Sequence, residues 1–181
     1  MVLNTFSEGI NNGMKTIVIS TFPACGVSQL CDNHNGDPYV LLDLRFQRFR
    51  NEPNGNFPKN YVRCIERNIG KVDFIFVSSH STVRKLLKKK GIKHFLIFPN
   101  IDLKDDWIRK MKSMNYEKRL INKIHDNFDQ LIFNMQTENS PLVYTYQLSK
   151  RDPCITMDTL DFMYSEKNPF IMEFHNITKD F

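Results

Sequence analysis

The chain has 181 residues, a formal net charge of +5, 41% hydrophobic residues and fifteen phenylalanines. This composition predicts one folded domain with a sizeable core and excludes a largely disordered chain. The four cysteines form no CxxC pair, which argues against a zinc site, and no apolar run approaches the roughly 20 residues that a membrane span needs.

The first thirteen residues have no clear hydrophobic period and lack the apolar core of a secretory signal. We interpret residues 1–13 as a dispensable N-terminal extension. With neither a signal nor a membrane span, the chain is expected to be a soluble protein of the reducing cytoplasm, without a membrane partner.

The first predicted strand covers residues 16–20, where apolar and β-branched residues follow one another almost without a break. Such a run is typical of a strand that is buried on both faces of a parallel sheet. Pro23 and Gly26 then turn the backbone, and a short helix is predicted to begin at Val27 or Ser28. In this order of elements, main-chain N–H groups at a helix N-terminus can bind a phosphate.

The loop has the spacing of the phosphate-binding pattern G-x-x-x-x-G-K-[ST] but only some of its residues. Gly26 and Ser28 stand at the second glycine and at the final hydroxyl position. Thr21 replaces the first glycine, and Val27 replaces the lysine. The alternative interpretation is an ordinary strand-to-helix turn. The residues of the predicted loop are Thr21, Phe22, Pro23, Ala24, Cys25, Gly26, Val27 and Ser28.

Within this loop, Cys25 has two interpretations. A helix N-terminus can lower the pKa of a nearby thiol and make it reactive, whereas a cysteine in an apolar environment is a small buried filler. We expect Cys25 to be a filler.

Strands and helices alternate after the loop. Further strands are predicted at residues 39–42, 72–78 and 95–98, with an edge strand at 142–146, and helices at residues 58–69, 81–90, around Trp107 (capped by Asp102) and at 116–135. This alternation predicts an α/β fold, in which helices cover both faces of a parallel sheet. No element is predicted after residue 150.

Polar side chains follow two of the predicted strands. Asp43 follows the second strand, where it either faces the ligand crevice of a parallel sheet or caps the next turn. Ser79 and His80 follow the strand at residues 72–78, and we expect them to line the crevice or to cap the next helix. A two-histidine phosphoesterase site at His80 is disfavoured, because the chain has no second H-x-[ST] motif.

The most basic run of the chain, residues 84–90, lies on a predicted amphipathic helix. We interpret it as a solvated helix face. Nucleic acid is the alternative partner that such a charge would suit, but no RNA-reading aromatic signature accompanies the run. We therefore do not expect nucleic acid to be the partner.

Four stretches are distinctive when they are taken together: residues 15–20 followed by Phe22-Pro23, then Phe57-Pro58-x-Asn60-Tyr61, then residues 68–80, and finally Val83-Arg84. In this combination the chain resembles a family of P-loop nucleotide-kinase-like proteins. They are carried chiefly by bacteriophages and other double-stranded DNA viruses and are related in fold to adenylate kinase. The resemblance covers residues 14–135.

The resemblance implies a three-layer P-loop NTPase fold for residues 14–136. Residues 137–181 are then a C-terminal extension of uncertain structure, and the chain of a virus would lie in the host cytoplasm. The resemblance also implies ATP as the phosphoryl donor, Mg²⁺, and a nucleoside or nucleoside monophosphate as the acceptor.

The resemblance also assigns roles to individual residues. The backbone of residues 23–26 would cradle the phosphates, Ser28 would bind Mg²⁺, and Asp43 would bind the metal or the acceptor hydroxyl. A lid-like helix would supply Arg109 and Lys110 as catalytic cations, and Lys104 and Lys112 lie on the same helix.

Val27 is the most important departure from the family pattern. Removing a comparable electrostatic group typically slows a reaction by about 10²–10³. We therefore predict a nucleoside- or nucleotide-kinase-like protein whose phosphoryl transfer is weakened or lost, unless Lys15, Arg45 or Lys110 supplies the missing charge. The alternative is a catalytically silent module that binds a nucleotide or a host protein, with the C-terminal extension as the protein contact.

Overall fold

The computed structural model of the chain describes residues 15–44, 49 and 56–165. Arg45, both chain ends and the predicted N-terminal extension lie outside these residues. The strands are β1 (Ile17–Thr21), β2 (Leu41–Asp43), β3 (Phe74–Ser78), β4 (His94–Pro99) and β5 (Val143–Leu148), and the α-helices are α1 (Val27–Asn33), α2 (Lys59–Asn68), α3 (Ser81–Lys89), α4 (Lys104–Ser113), α5 (Lys118–Gln136) and α6 (Met157–Tyr164). A short 3-10 helix, Ile101–Leu103, leads into α4.

The five strands form one sheet in the order β2-β3-β1-β4-β5, and every neighbouring pair is parallel. β1 is the middle strand, with Ile17 opposite Phe74 of β3 and Ile19 opposite Phe95 of β4. The predicted α/β class with a parallel sheet is therefore confirmed. The strand order differs from the order 3-2-1-4-5-6 of dinucleotide-binding folds and from the flavodoxin-like order 2-1-3-4-5.

Helices cover both faces of the sheet. Phe74 and Ile75 are neighbours in β3, so their side chains point to opposite faces. The Phe74 ring contacts the rings of Tyr39 and of Tyr164 in α6, with centroid distances of 5.1 and 5.7 Å. Ile75 packs on the other face, in a cluster that includes the buried residues Tyr61, Val62 and Ile65 of α2 and Val83 and Leu87 of α3.

The core extends into the segment after residue 136. β5 forms an edge of the sheet, which confirms the predicted edge strand. α6 is an element that the sequence pattern did not predict. Four residues of this segment, Leu148, Ile155, Leu160 and Met163, are buried in the same cluster as β1 and β4. The described part of the C-terminal segment is therefore integral to the core.

Most predicted elements agree with the structure to within two residues, and one predicted cap is wrong. The side chain of Asn100, and not that of Asp102, accepts the capping hydrogen bond, which comes from the Asp102 main-chain N–H at 3.1 Å. Asp102 falls inside the 3-10 turn because that turn begins earlier than the predicted helix. Among the described residues, no helix is both long enough and apolar enough to cross a membrane.

Candidate functional site

The loop of residues 21–28 lies at the point where the sheet topology changes direction. The connection after β1 leads to β2 on one side, and the connection after β4 leads to β5 on the other side. In open parallel sheets, ligands bind outside the carboxyl ends of the two strands that flank such a point. The Phe22 N–H group donates to the Ile97 carbonyl at 2.9 Å, which ties the loop to β4.

The loop backbone passes twice through the left-handed region. Ala24 has φ +67° and Gly26 has φ +91°. This conformation costs a residue with a side chain roughly 1–2 kcal/mol, so surrounding contacts must hold Ala24 in it. Residues that alternate between right- and left-handed conformations can turn successive N–H groups toward one point, where they form a concave anion site.

Two aromatic side chains hold the loop in place. The Trp107 indole nitrogen donates to the Pro23 carbonyl at 2.9 Å, and the Ala24 N–H group donates to the Tyr116 hydroxyl at 3.1 Å. Burial raises the pKa of Tyr116. Trp107 is buried, as expected of a core residue. Its contact with the loop was not predicted, although a buried tryptophan usually requires an acceptor for its N–H group.

The C-terminal segment lies directly on the loop. The Ile155 N–H group donates to the Cys25 carbonyl at 2.8 Å. A Cβ atom added to Gly26 would approach the Cβ atom of Cys154 to 2.8 Å, which is closer than such atoms can pack. Only glycine therefore fits at position 26 beneath this segment. Because these partners are far apart in the sequence, no local pattern indicates the contact.

Lys110 is the predicted cation that reaches this region. Its ammonium group donates to the Pro153 carbonyl at 2.7 Å and lies 4.5 Å from the centroid of the Trp107 ring. Burial lowers the pKa of Lys110, and the nearby thiols of Cys25 and Cys154 counteract this effect. Lys110 thus places a positive charge beside the loop, from α4 and not from the loop itself.

Lys15 was a candidate for the same role, and the structure places it elsewhere. It precedes β1, whereas the loop follows the carboxyl end of that strand. Its ammonium group lies 3.4 Å from the Tyr164 carbonyl oxygen and 5.0 Å from the centroid of the Tyr164 ring. Lys15 therefore belongs to the opposite edge of the sheet and does not supply charge to the loop.

The other cations of α4 have different partners. Arg109 is exposed and forms an ion pair with Asp106 of the same helix. Lys104 forms an ion pair with Asp129 of α5 at 3.2 Å, and Lys112 is exposed. The structure therefore brings Lys110 to the segment that covers the loop, but it does not bring Arg109 there.

Main-chain amides remain available in the second half of the loop. Pro23 has no N–H group, and the Ala24 N–H group is bonded to Tyr116. Within residues 15–44, 49 and 56–165, the N–H groups of the four residues 25–28 have no hydrogen-bond acceptor. Those of Val27 and Ser28 belong to the first turn of α1, where no intrahelical partner exists.

Asp43 and Ser28, the residues expected at the metal, lie on different elements. Asp43 is the last residue of β2 and is half-buried. After burial and Cys25, its negative charge is a further cause of the raised pKa of Tyr116. Ser28 is exposed on α1. Among the described residues, no group of three or more His, Cys, Asp or Glu side chains forms a metal cluster.

His80 caps α3, which confirms one of the two predicted roles. Its Nδ1 atom accepts a hydrogen bond from the Thr82 N–H group at 3.4 Å. Ser79 is buried, and its main-chain N–H group donates to the Thr21 carbonyl at 3.1 Å. The Thr21 hydroxyl donates to the Val77 carbonyl at 3.4 Å. The Thr21 and Ser79 contacts join the carboxyl ends of β1 and β3.

Cys25 fits the filler interpretation. Its side chain is 2% exposed, and its thiol lies 3.9 Å from the Ile97 carbonyl oxygen. Burial raises the pKa of the Cys25 thiol to about 12. A thiol with such a pKa stays protonated at neutral pH and is a poor nucleophile.

A polar pocket of about 340 Å³ opens at the same edge of the sheet, where β4 and β5 end. Its lining consists of polar side chains and one leucine: Asn100, Asp102, Leu103, Asp106, Ser149 and Lys150. No local sequence pattern indicates this group, because its members come from two distant segments.

No protein-family model, curated protein or solved structure matches the chain.

Proposed function

We propose that the chain is a P-loop nucleotide-kinase-like protein that binds a nucleotide phosphate at residues 21–28 and transfers phosphoryl groups weakly or not at all. The observation that carries this proposal is the position of the loop at the topological switch point. The loop follows the middle strand, β1, and is tied to β4 through Ile97. Open parallel sheets bind their ligands at this position.

The loop supports phosphate binding through its main-chain groups. The N–H groups of residues 25–28 have no acceptor among the described residues, and an anion would provide one. The left-handed conformation of Ala24 fits this role, because strained backbone persists chiefly where the surrounding structure enforces it and clusters at ligand sites.

Lys110 supports the proposal as a source of positive charge. A lysine ammonium has three donor hydrogens, and the Pro153 carbonyl accepts one of them. The remaining donors are available to a phosphate oxygen. Burial lowers the pKa of Lys110. A bound anion would oppose this effect, because a nearby opposite charge favours the charged form of a lysine.

Three features support weak or absent phosphoryl transfer. Val27 has no charge to stabilise the transferring group, and a comparable loss typically slows a reaction by about 10²–10³. The Ala24 N–H group already has a partner in Tyr116. Cys154 packs on Gly26, where an active loop would need space for the phosphates.

The site offers Mg²⁺ two candidate protein ligands, and ATP would have to supply further oxygen ligands. Mg²⁺ in phosphoryl-transfer sites takes one or two protein ligands and completes its shell with water and substrate phosphates. Asp43 would be the carboxylate ligand and Ser28 the hydroxyl ligand, and the nucleotide would supply the phosphate oxygens. Bound Mg²⁺ would neutralise charge that develops on the phosphates, and Lys110 would orient them.

A titration of the full chain with ATP, ADP and inorganic tripolyphosphate, with and without Mg²⁺, tests the proposal. Trp107 is the single tryptophan and contacts the loop, so its fluorescence reports binding there. At a ligand concentration of 100 Kd, binding should stabilise the fold by about 2.7 kcal/mol in a thermal-shift measurement. The absence of any fluorescence change or thermal shift with all three ligands would overturn the proposal.

Matched variants locate the binding site. Lys110→Gln should weaken binding, whereas Lys112→Gln on the same helix should not, because Lys112 is exposed, whereas Lys110 binds the Pro153 carbonyl in the segment that covers the loop, residues 153–155 (the loop cover). Val27→Lys should increase affinity and phosphoryl transfer from ATP. Val40→Lys adds the same charge at an exposed position before β2 and should change neither.

The alternative function is a catalytically silent module for a host protein. The cover of residues 153–155 on the loop favours it, since a covered loop has less space for a ligand. Under this alternative, Val27→Lys confers no phosphoryl transfer, and none of the three ligands changes Trp107 fluorescence. The same titration therefore separates the two functions.

A further inference from the structure

The net positive charge of the chain is concentrated in one layer. Residues 56–93, which contain α2 and α3, carry ten lysines and arginines against two carboxylates. The resulting formal charge of +8 exceeds the +5 of the whole chain, so the remaining residues are net acidic. The run at residues 84–90 alone led to the expectation that nucleic acid is not the partner, but the structure adds the exposed cations of a second helix, and this addition changes the expectation.

α2 and α3 present these cations on one continuous surface. Both helices pack on the same sheet face through a shared cluster, and Lys90 after α3 forms an ion pair with Glu66 of α2 at 3.1 Å. Six exposed cations form what we call the basic face: Lys59, Arg63, Arg67, Lys71, Lys85 and Lys89. None of these six has an ion pair within the described part of the chain.

The cations of the basic face form two rows. Lys59, Arg63 and Arg67 are four residues apart on α2, and Lys85 and Lys89 have the same spacing on α3. Four helical residues rise about 6 Å, so the α2 row is about 12 Å long. A stretch of duplex nucleic acid of that length carries about seven phosphates, at one charge per 1.7 Å.

We infer that the basic face binds the phosphate backbone of double-stranded nucleic acid, without sequence preference. The positive charge of the basic face complements a polyanion. The shortage of exposed apolar side chains favours duplex nucleic acid over single-stranded nucleic acid or a membrane surface. A single-strand binder stacks bases on aromatic side chains, and a membrane-bound helix inserts several apolar ones. Among the described residues of α2, α3 and their ends, the exposed large hydrophobic residue is Ile69, which is aliphatic.

Arg84 and Lys88 do not take part in this surface. Both form ion pairs with Glu138 after α5, and Arg84 is buried. Their role is to join α3 to the next layer. The basic face therefore combines two lysines of the basic run with the four cations on and after α2. It does not include any residue of the loop at residues 21–28.

Fluorescence anisotropy with a labelled 20-base-pair DNA duplex tests the inference. Purely electrostatic binding should have a Kd of about 10⁻⁴ to 10⁻⁶ M near physiological salt. With four to six phosphate contacts, a plot of log K against log salt should have a slope of about −4 to −5. Two duplexes of different sequence should bind equally well.

Two triple variants with the same change in net charge locate the surface. Arg63→Glu, Arg67→Glu and Lys85→Glu together should weaken binding at least tenfold and make the salt slope shallower by about 3. The control combines Lys112→Glu, Arg119→Glu and Lys123→Glu at exposed positions of α4 and α5, and it should retain most of the affinity. Circular dichroism and thermal melting establish that both variants are folded.

Four outcomes would overturn the inference. The first is no binding to duplex DNA at 50 mM salt. The second is an equal loss of affinity in both triple variants, which would indicate net charge instead of this surface. The third is tighter binding to single-stranded DNA of the same length, and the fourth is tighter binding to phosphatidylserine vesicles. Loss of nucleotide binding in Lys110→Gln has no bearing on the result, because this variant leaves the basic face intact.

Discussion

The indole nitrogen of Trp107 donates a hydrogen bond to the Pro23 carbonyl at 2.9 Å and joins α4 to the loop after β1. Trp107→Phe keeps an aromatic ring but removes this donor and part of the buried volume. The free energy of unfolding should fall by about 1–3 kcal/mol, measured by urea denaturation. Phe133→Leu, at a residue that is 56% exposed, should change it by less than about 0.5 kcal/mol. An unchanged urea midpoint for Trp107→Phe would contradict the structural role of this bond.

Gly26 and Gly36 provide a matched pair of positions for testing whether residues 153–155 press on the loop. Both have a positive φ, of +91° and +93°, but a Cβ atom at Gly36 meets nothing within 4 Å. Gly36→Ala should therefore cost about 1–2 kcal/mol from the backbone conformation alone. Gly26→Ala should cost clearly more, because the new methyl group also meets the Cys154 Cβ atom.

Cys154→Gly in the Gly26→Ala background isolates the steric part of this effect. It removes the Cβ atom that the new methyl group meets and should recover part of the lost stability. Urea denaturation of the single and double variants provides the measurement. Equal costs for Gly26→Ala and Gly36→Ala would show that residues 153–155 do not press on the loop.

The hydroxyl of Tyr116 accepts a hydrogen bond from the Ala24 N–H group at 3.1 Å. Tyr116→Phe leaves this N–H group without its partner, which should cost about 1–3 kcal/mol of unfolding free energy. Tyr146→Phe is the control, since the Tyr146 hydroxyl makes no hydrogen bond with the described residues. Thermal melting compares the two variants, and equal midpoints would argue against the Tyr116 bond.

A substitution at Leu160 tests whether the segment after residue 136 contributes to the stability of the core. Its side chain is fully buried in α6, within the cluster that also contains β1 and β4. Leu160→Ala should lower the unfolding free energy by about 2–5 kcal/mol. Arg151→Ala, at an exposed position in the same segment, should have an effect below about 0.5 kcal/mol. Similar urea midpoints for the two variants would mean that α6 adds little to the fold.

Because His94 is buried, we expect the fold to lose stability in mild acid. Burial lowers the pKa of His94, and Arg84 and Lys88 lower it further, whereas the Ile92 carbonyl and Glu138 oppose the shift. The buried Nε2 atom has no hydrogen-bond partner among the described residues. Below about pH 6.5 the unfolded chain binds a proton that the folded chain resists. Stability should therefore fall with decreasing pH, by at most about 1.4 kcal/mol per unit, until the lowered pKa is reached.

His94→Asn isolates this contribution, because its amide can still donate to the Ile92 carbonyl but does not titrate. Urea denaturation between pH 5 and pH 8 should give a shallower pH dependence for the variant than for the parent chain. Parallel pH profiles for the two proteins would rule out His94 as the origin of the acid sensitivity.

Continuous hydrophobic patterns made the inner strands predictable. The run at residues 72–78 contains β3, and the predicted strand at residues 95–98 lies within β4, because strands covered on both faces must be apolar throughout. α3 was predicted to within one residue, since Gly91 follows its end. The local sequence was therefore sufficient to predict elements whose burial follows a continuous apolar run or a helical period.

α6 and the loop cover depend on contacts that local patterns do not record. α6 is short and begins with a capping box made by Thr156 and Thr159, where the usual pattern has Glu or Gln at the second position. The contact between Cys25 and Ile155 joins opposite ends of the chain. Likewise, Trp107 and Tyr116 bind loop residues that lie more than 80 positions earlier in the sequence.

The bond between the Cys25 carbonyl and the Ile155 N–H group also sets an order of events during translation. The loop leaves the ribosome early, whereas its cover and β5 emerge among the last residues of the described chain. A nascent chain that stops before residue 143 therefore lacks both β5 and the N–H group that binds the Cys25 carbonyl. The loop reaches its final surroundings only after the C-terminal segment has been synthesised and has docked.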